Sequence, residues 1–105
     1  MSQMLSVQED TRKDTILEAL SDRYSRIILE TTRDMPKSAH EIGLECKVPI
    51  STIYRRLQEL HDAKLVEVSG SISEDGKKFF MYKSKVREIA TMFNGSAIQV
   101  SVTLN

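Results

Sequence analysis

Between Lys47 and Gln58 the chain carries no acid, and Ser51, Thr52, Tyr54, Arg55, Arg56 and Gln58 all fall within one short stretch. These side chains are suited to hydrogen-bond recognition rather than to bond breaking. An arginine fork can donate a bidentate pair to a guanine edge, a glutamine carboxamide can pair with adenine, and hydroxyls serve bases or phosphates. A second acid-free stretch, Lys77 to Arg87, holds Lys77, Lys78, Lys83, Lys85 and Arg87. Such a run could lie along phosphates, although lysines on an exposed edge strand also guard against aggregation. Lys77 and Lys78 are the candidates for phosphate contact.

Residues for catalysis or metal binding are sparse by comparison. Cys46 is the single cysteine, falls on one helical line with Ala39 and Ile42, and reads as a small core residue. His40 and His61 are far apart in the chain, and no Cys/His/Asp cluster has ligand spacing, so neither metal nor cofactor is expected. There is no phosphate-cradling glycine loop, nucleophile elbow or zincin motif, and the chain is not expected to be an enzyme.

The recognition set must be positioned by a helix. Projected at about 100° per residue, the stretch Ile50 to about Ala63 turns Ile53, Leu57 and Leu60 inward and Ser51, Arg55 and Gln58 outward, with Thr52 and Tyr54 on the flanks. Tyr54 suits either a sugar-phosphate contact or a cover for the helix rim. Glu59 and Asp62 come late in this helix. Just before it, Ser38-Ala39-His40-Glu41 is a capping box, and Ala39, Ile42 and Cys46 continue at helical spacing until Lys47-Val48-Pro49 interrupts. Two helices therefore flank a tight turn.

Upstream, Ile16, Leu17 and Leu20 mark a first helix that ends near Ser21-Asp22, a pair suited to capping the next. Tyr24, Ile28, Thr31 and Met35 suggest the inward line of a second helix, which Pro36 ends. Residues 1–10 read as a loose arm, with Ser6 and Glu9 at capping-box spacing. Downstream the period changes to two. Leu65-Val66-Glu67-Val68 and Lys77 to Tyr82 read as paired strands, with Gly70 and Gly76 bracketing a polar tip.

Ile98, Val100, Val102 and Leu104 alternate as a half-buried strand that needs a neighbour. Asn94-Gly95 is a strong two-residue turn signal, which would pair Phe93 with Ser96, Thr91 with Ile98 and Ile89 with Val100. Val86, Ile89, Ala90 and Phe93 also fit a helix face with Asn94-Gly95 as its stop, but the hairpin is the preferred reading.

The whole has 105 residues, 40% hydrophobic and 29% charged, which suits one soluble domain with its own core. Fifteen Lys+Arg balance fifteen Asp+Glu, so any basic surface must be local. No apolar run is long enough to span a bilayer, the start MSQMLSVQED lacks a secretory pattern, and a lone cysteine suits a reducing compartment. A cytoplasmic location and no membrane partner are expected.

Pro36-Lys37-Ser38-Ala39-His40-Glu41-Ile42, then Val48 to Leu57, and Leu60 with Leu65-Val66, resemble the ArsR-type winged helix-turn-helix transcriptional regulators, particularly small archaeal-style members. The resemblance spans roughly Ile16 to Tyr82. It implies sequence-specific binding of double-stranded DNA, usually by a homodimer and usually in repression. Lys47 and Lys64 stand where the family commonly has glycine at helix ends, and the arginine near the second helix is shifted by one position. The metal-sensing cysteine pair is replaced by Ser38-Ala39-His40-Glu41, and the chain ends in strands where many members end in a dimerising helix.

The expectation is therefore an α+β winged helix-turn-helix with a C-terminal β-hairpin: an arm over 1–10, a DNA-binding domain over 11–83, and a dimerising hairpin over 84–105. Ser51, Thr52, Tyr54, Arg55, Arg56 and Gln58 would meet the major groove, and Lys77 and Lys78 the phosphates. The alternative is a winged-helix module that docks to proteins without reading bases. A continuous positive face joining Arg55, Arg56, Lys77 and Lys78 would mark the first, and an exposed apolar patch there the second. No residue set marks an effector site.

Overall fold

The computed structural model describes residues 3–105; Met1 and Ser2, the start of the expected arm, lie outside the described residues. The change of period seen in the sequence produces a mixed α+β chain. Among the described residues it has four helices and two three-stranded antiparallel sheets.

Helix α1 (Asp10–Ser21) buries Ile16 and Ala19, and α2 (Arg23–Thr31) follows after the single residue Asp22. Asp22 caps α2 through its carboxylate, which accepts the Ser25 amide at 2.8 Å. The buried line of α2 runs through Ser25 and Ile28 to Thr32, whereas Tyr24 is 37% exposed and Met35 60% exposed. The expected line was thus rotated, because the hydroxyls of Ser25 and Thr32 find local partners in Asp22 Oδ2 and the Ile28 carbonyl and can be buried at little cost. The helix stops well before Pro36.

Strand β2 (Lys37–Ser38) leads into α3 (Ala39–Cys46), whose capping box forms as expected: Ser38 Oγ accepts the Glu41 amide and Glu41 Oε1 accepts the Ser38 amide, both at 3.2 Å. The turn 47–49 connects it to α4 (Ile50–Asp62), which buries Ile53, Leu57 and Leu60. Both helices end through a left-handed lysine, Lys47 at φ 56° and Lys64 at φ 62°. In each case the following amide reaches back five residues, Val48 to the Gly43 carbonyl at 3.2 Å and Leu65 to the Leu60 carbonyl at 2.9 Å. That geometry satisfies the last carbonyls but normally selects glycine, so each lysine carries some strain.

Strands β3 (Val66–Ile72) and β4 (Lys78–Ser84) form a hairpin, and β4 lies between β2 and β3. Strand β3 runs through Gly70 to Ile72, which pairs with Lys78, so the tip is Ser73 to Lys77, with Gly76 at φ +82° closing the turn. Gly70 does not bracket the tip, because this ribbon is largely solvated on both faces and a residue without a side chain sits in it with nothing to lose in packing.

The C-terminal segment is a hairpin, not a helix: β5 (Val86–Phe93) pairs with β6 (Ile98–Leu104). The register differs from the expected one by two residues. Phe93 faces Ile98, Thr91 faces Val100 and Ile89 faces Val102, across a four-residue turn in which Asn94 Oδ1 accepts the amides of Ser96 and Ala97. A slip of two preserves which face each side chain takes, so the hydrophobic pattern alone does not decide between these registers.

The neighbour that β6 needs is supplied on both sides. Of the described part of the expected arm, Gln3–Val7 is strand β1, antiparallel to β6 with Val7 facing Val100, and Asp10 already belongs to α1. Ser6 lies in this strand and caps nothing, and α1 starts after Glu9 without a side-chain cap. Burial explains the ordering of β1: Val7 is 3% exposed, and Val100 and Val102 are 1% exposed, in one hydrophobic cluster with Ile16, Ile28, Ile53, Leu57 and Leu60. Each such side chain is worth about 1.5–3 kcal/mol, which fixes the sheet onto the helices. Lys13 Nζ also donates to the Ile98 carbonyl at 3.2 Å, and Arg12 Nε to the Ala63 carbonyl at 3.3 Å.

Candidate nucleic-acid interface

Helix α4 is amphipathic, and its core residues determine what its other face displays. With Ile53, Leu57 and Leu60 anchored, Ser51, Arg55 and Gln58 project into solvent, Tyr54 is 49% exposed, and Thr52 is half-buried. Gln58 Nε2 donates to Asp62 Oδ1 at 3.0 Å, one turn along the same surface. Five of the six residues expected on this helix thus reach its accessible side.

Arg56 does not join them. One residue on from Arg55, the helix has turned by about 100° and carries the guanidinium over the junction of α1 and α2. There Arg56 Nε donates to Asp22 Oδ2 at 2.8 Å and Nη2 to Asp22 Oδ1 at 3.1 Å, while Nη1 reaches Glu59 Oε1 at 3.3 Å. The bond to Asp22, against the opposing effect of burial, raises the Arg56 pKa further. Burial pushes Asp22 upward, but the Ser25 amide, the Arg56 fork and the Ser25 hydroxyl outweigh it and leave the carboxyl below its ordinary range. Arg56, expected beside Arg55 among the residues that meet the groove, instead gives three hydrogen bonds to two acids of its own chain.

Across from α4 stands the β3–β4 hairpin. Its pairing puts Val68 opposite Tyr82, Gly70 opposite Phe80 and Ile72 opposite Lys78, all on one face. Lys78, Phe80, Tyr82, Tyr54, Ser38 and His40 line a groove of about 280 Å³ between this face, α4 and the start of α3. Tyr54, Phe80 and Tyr82 also border a second groove of about 330 Å³ with Gln58 and His61. Burial raises the Tyr82 phenol, and the neighbouring Tyr54 adds to it. The sequence reading missed Phe80, Tyr82 and His40 as lining residues. The i, i+2 spacing of Lys78, Phe80 and Tyr82 was the available signal, but it acquires meaning only once the hairpin faces α4, and nothing local marked His40.

The lysine run is split by the same pleat. Lys78 shares the α4 side, and Lys77 sits in the tip with an 84% exposed side chain whose Nζ lies 3.9 Å from Asp75 Oδ2. Lys83 points to the other face, where its Nζ donates to the Arg33 carbonyl at 3.4 Å. Arg87 belongs to β5 and borders a separate cleft against α2 with Arg26 and Arg33. The run is therefore not one phosphate track, and the positive face expected to join Arg55, Arg56, Lys77 and Lys78 lacks Arg56.

Cys46 is half-buried, and its thiol is pushed up chiefly by burial and then by Glu45, which leaves it a poor thiolate. Among the described residues no cluster of three His, Cys, Asp or Glu could hold a metal ion, and no helix is long and apolar enough to cross a membrane.

No family model matches the chain, and no curated protein matches it by sequence. Among solved structures it is similar to a "Possible transcriptional regulator from Methanosarcina mazei Go1", at 16% identity and a TM-score of 0.57, over 79% of this chain and 76% of that one. At that identity the likeness is one of overall fold.

Proposed function

We propose that the protein is a DNA-binding transcriptional regulator of winged helix-turn-helix type, with α4 as the helix that enters the major groove and the β3–β4 hairpin as the wing. The observation that carries this reading is the exposed side of α4, free of acids from its start to Gln58, where Ser51, Tyr54, Arg55 and Gln58 follow the short α3 and its turn and Tyr54 shares a groove with Lys78 of the hairpin. Arg55 and Gln58 read base edges, Ser51, Thr52 and Tyr54 position the helix, and Lys77 and Lys78 meet phosphate. Arg56 holds the helix in place. The protein acts in the cytoplasm as a homodimer that represses by occupying its site, without metal or cofactor. Its two α4 helices address half-sites about 34–36 Å apart on a pseudo-palindrome. The solved structure similar in fold carries a name of the same class, which supports this reading.

A second reading is favoured by one observation: Val68, Ile72 and Phe80, at 37%, 67% and 60% exposure, form an apolar strip on the hairpin face beside α4. Such a strip suits a module that docks to another protein. Selection of bound duplexes from a random library, with winners compared against scrambled DNA at two salt concentrations, separates the two. Enrichment of a pseudo-palindrome is the expected result. Salt-sensitive binding without enrichment makes the protein a non-specific DNA binder, and absence of binding favours the docking module.

A further inference from the structure

The outer edge of β5 is built to pair. In the sheet β1–β6–β5 it is an edge strand of 8 residues whose distal part, Ile89-Ala90-Thr91-Met92-Phe93, holds no charge, proline or glycine. Monomers guard edges of this length with lysine, proline or a bulge. Here the bulge, between Val86 and Glu88, and both charges, Arg87 and Glu88, lie at the other end. Met92 and Phe93 are left 63% and 68% exposed. The opposite edge, β1, is 5 residues long, and Met4 is its exposed large apolar residue.

We propose that this edge pairs antiparallel with β5 of a second copy of the chain, forming one sheet of six strands across a two-fold axis that passes beside Thr91. The inference rests on the dimeric part of the function proposed above and names its interface. A two-fold axis normal to the sheet keeps each face on its own side, so only residues of the same face can meet. Ile89, Thr91 and Phe93 share the core side, as the partners of Val102, Val100 and Ile98. Charge excludes the registers nearer the start of the strand, and the extent of apolar pairing selects among the rest. An axis at Glu88 opposes two carboxylates, and an axis at Ala90 sets Arg87 against Phe93 and Glu88 against Met92. With the axis at Thr91, Ile89 meets Phe93 twice, Ala90 meets Met92 twice, and Glu88 faces the neutral Asn94. Aromatic and β-branched residues directly opposite each other are favourable cross-strand pairs, and this register covers both exposed side chains. Strand β6, the other strand of the hairpin expected to dimerise, is already paired on both edges and is not available.

The test is the mass of the full chain in solution, measured without DNA so that it does not depend on base reading. Wild type is expected at twice 12.0 kDa. Thr91→Lys and Thr91→Glu are each expected at the single-chain mass with unchanged circular dichroism, and their equimolar mixture at twice it, because an ammonium then faces a carboxylate. Ser6→Lys, on the β1 edge, is expected to stay dimeric. As a check that needs no disruption, Thr91→Cys in a Cys46→Ser background should give a covalent dimer with a short bis-maleimide. A monomeric wild type overturns both the interface and the dimeric reading. A dimer that survives both Thr91 charges, is split by Ser6→Lys, or gives no cross-link at position 91 overturns the β5 interface alone, and so does a mixture of folded variants that stays monomeric.

Discussion

The carboxylate of Asp22 accepts two bonds from the guanidinium of Arg56, at 2.8 Å and 3.1 Å, while also capping α2 through the Ser25 amide. One acid at a helix junction thereby fixes the orientation of α4, the helix proposed to read DNA. The side chains of the pair are 19% and 26% exposed, so the interaction is only partly screened by water.

Arg56→Ala is expected to cost about 1–2 kcal/mol of stability, since a paired charge-assisted bond is lost and a cap residue is left unsupported. Arg55→Ala should stay within about 0.5 kcal/mol of wild type, as surface changes usually do. Urea unfolding of both variants checks this, and equal losses would show that the two arginines are not divided in role.

The Asp22 contribution should depend on pH. Its folded pKa lies below the ordinary value of 3.8, so its stabilisation is present above that value and is lost as pH falls through the folded pKa. Asp22→Asn retains a good cap and removes the charge. The stability gap between wild type and this variant is expected to be level from pH 7 to about 5 and to close below 3.8. A gap that stays constant down to pH 3 would mean that the charge contributes nothing.

The two left-handed lysines are a removable strain. Lys47→Gly and Lys64→Gly should each raise stability by about 0.5–1 kcal/mol, the relief at positive φ exceeding the extra flexibility of the unfolded chain. Thermal denaturation shows the sign directly, and a lowered midpoint would refute it. Lys64→Gly should leave binding untouched, whereas any effect of Lys47→Gly on DNA would place that lysine near phosphate.

Arg55→Ala is expected to cost about 1–3 kcal/mol at the preferred duplex and to relax base preference, while Lys77→Ala weakens all duplexes alike and lowers the salt slope by about 1. Titrations of specific and scrambled DNA at several salt concentrations separate the two behaviours. Equal losses on both duplexes for Arg55→Ala would make it a phosphate contact.

Local signals were legible because they act over a few residues. The capping box at Ser38 and Glu41, the buried line of Ile53, Leu57 and Leu60, and the alternation from Ile98 to Leu104 each state their own conformation. They determined the order of helices and strands and the outward face of α4. What they could not state is which partner lies across a gap in the chain. That Gln3–Val7 is a strand depends on β6, nearly a hundred residues away, and the slip of two in the C-terminal register is invisible to a pattern of period two. Arg55 and Arg56 are the same residue type in consecutive positions, and although the helical projection put Arg55 outward and left Arg56 off that line, it named no partner for Arg56. Only the packing of α4 on the α1–α2 junction brought Asp22 under one of them, because an ion pair is decided by distance in space, and distance between elements far apart in the chain is set when the core closes.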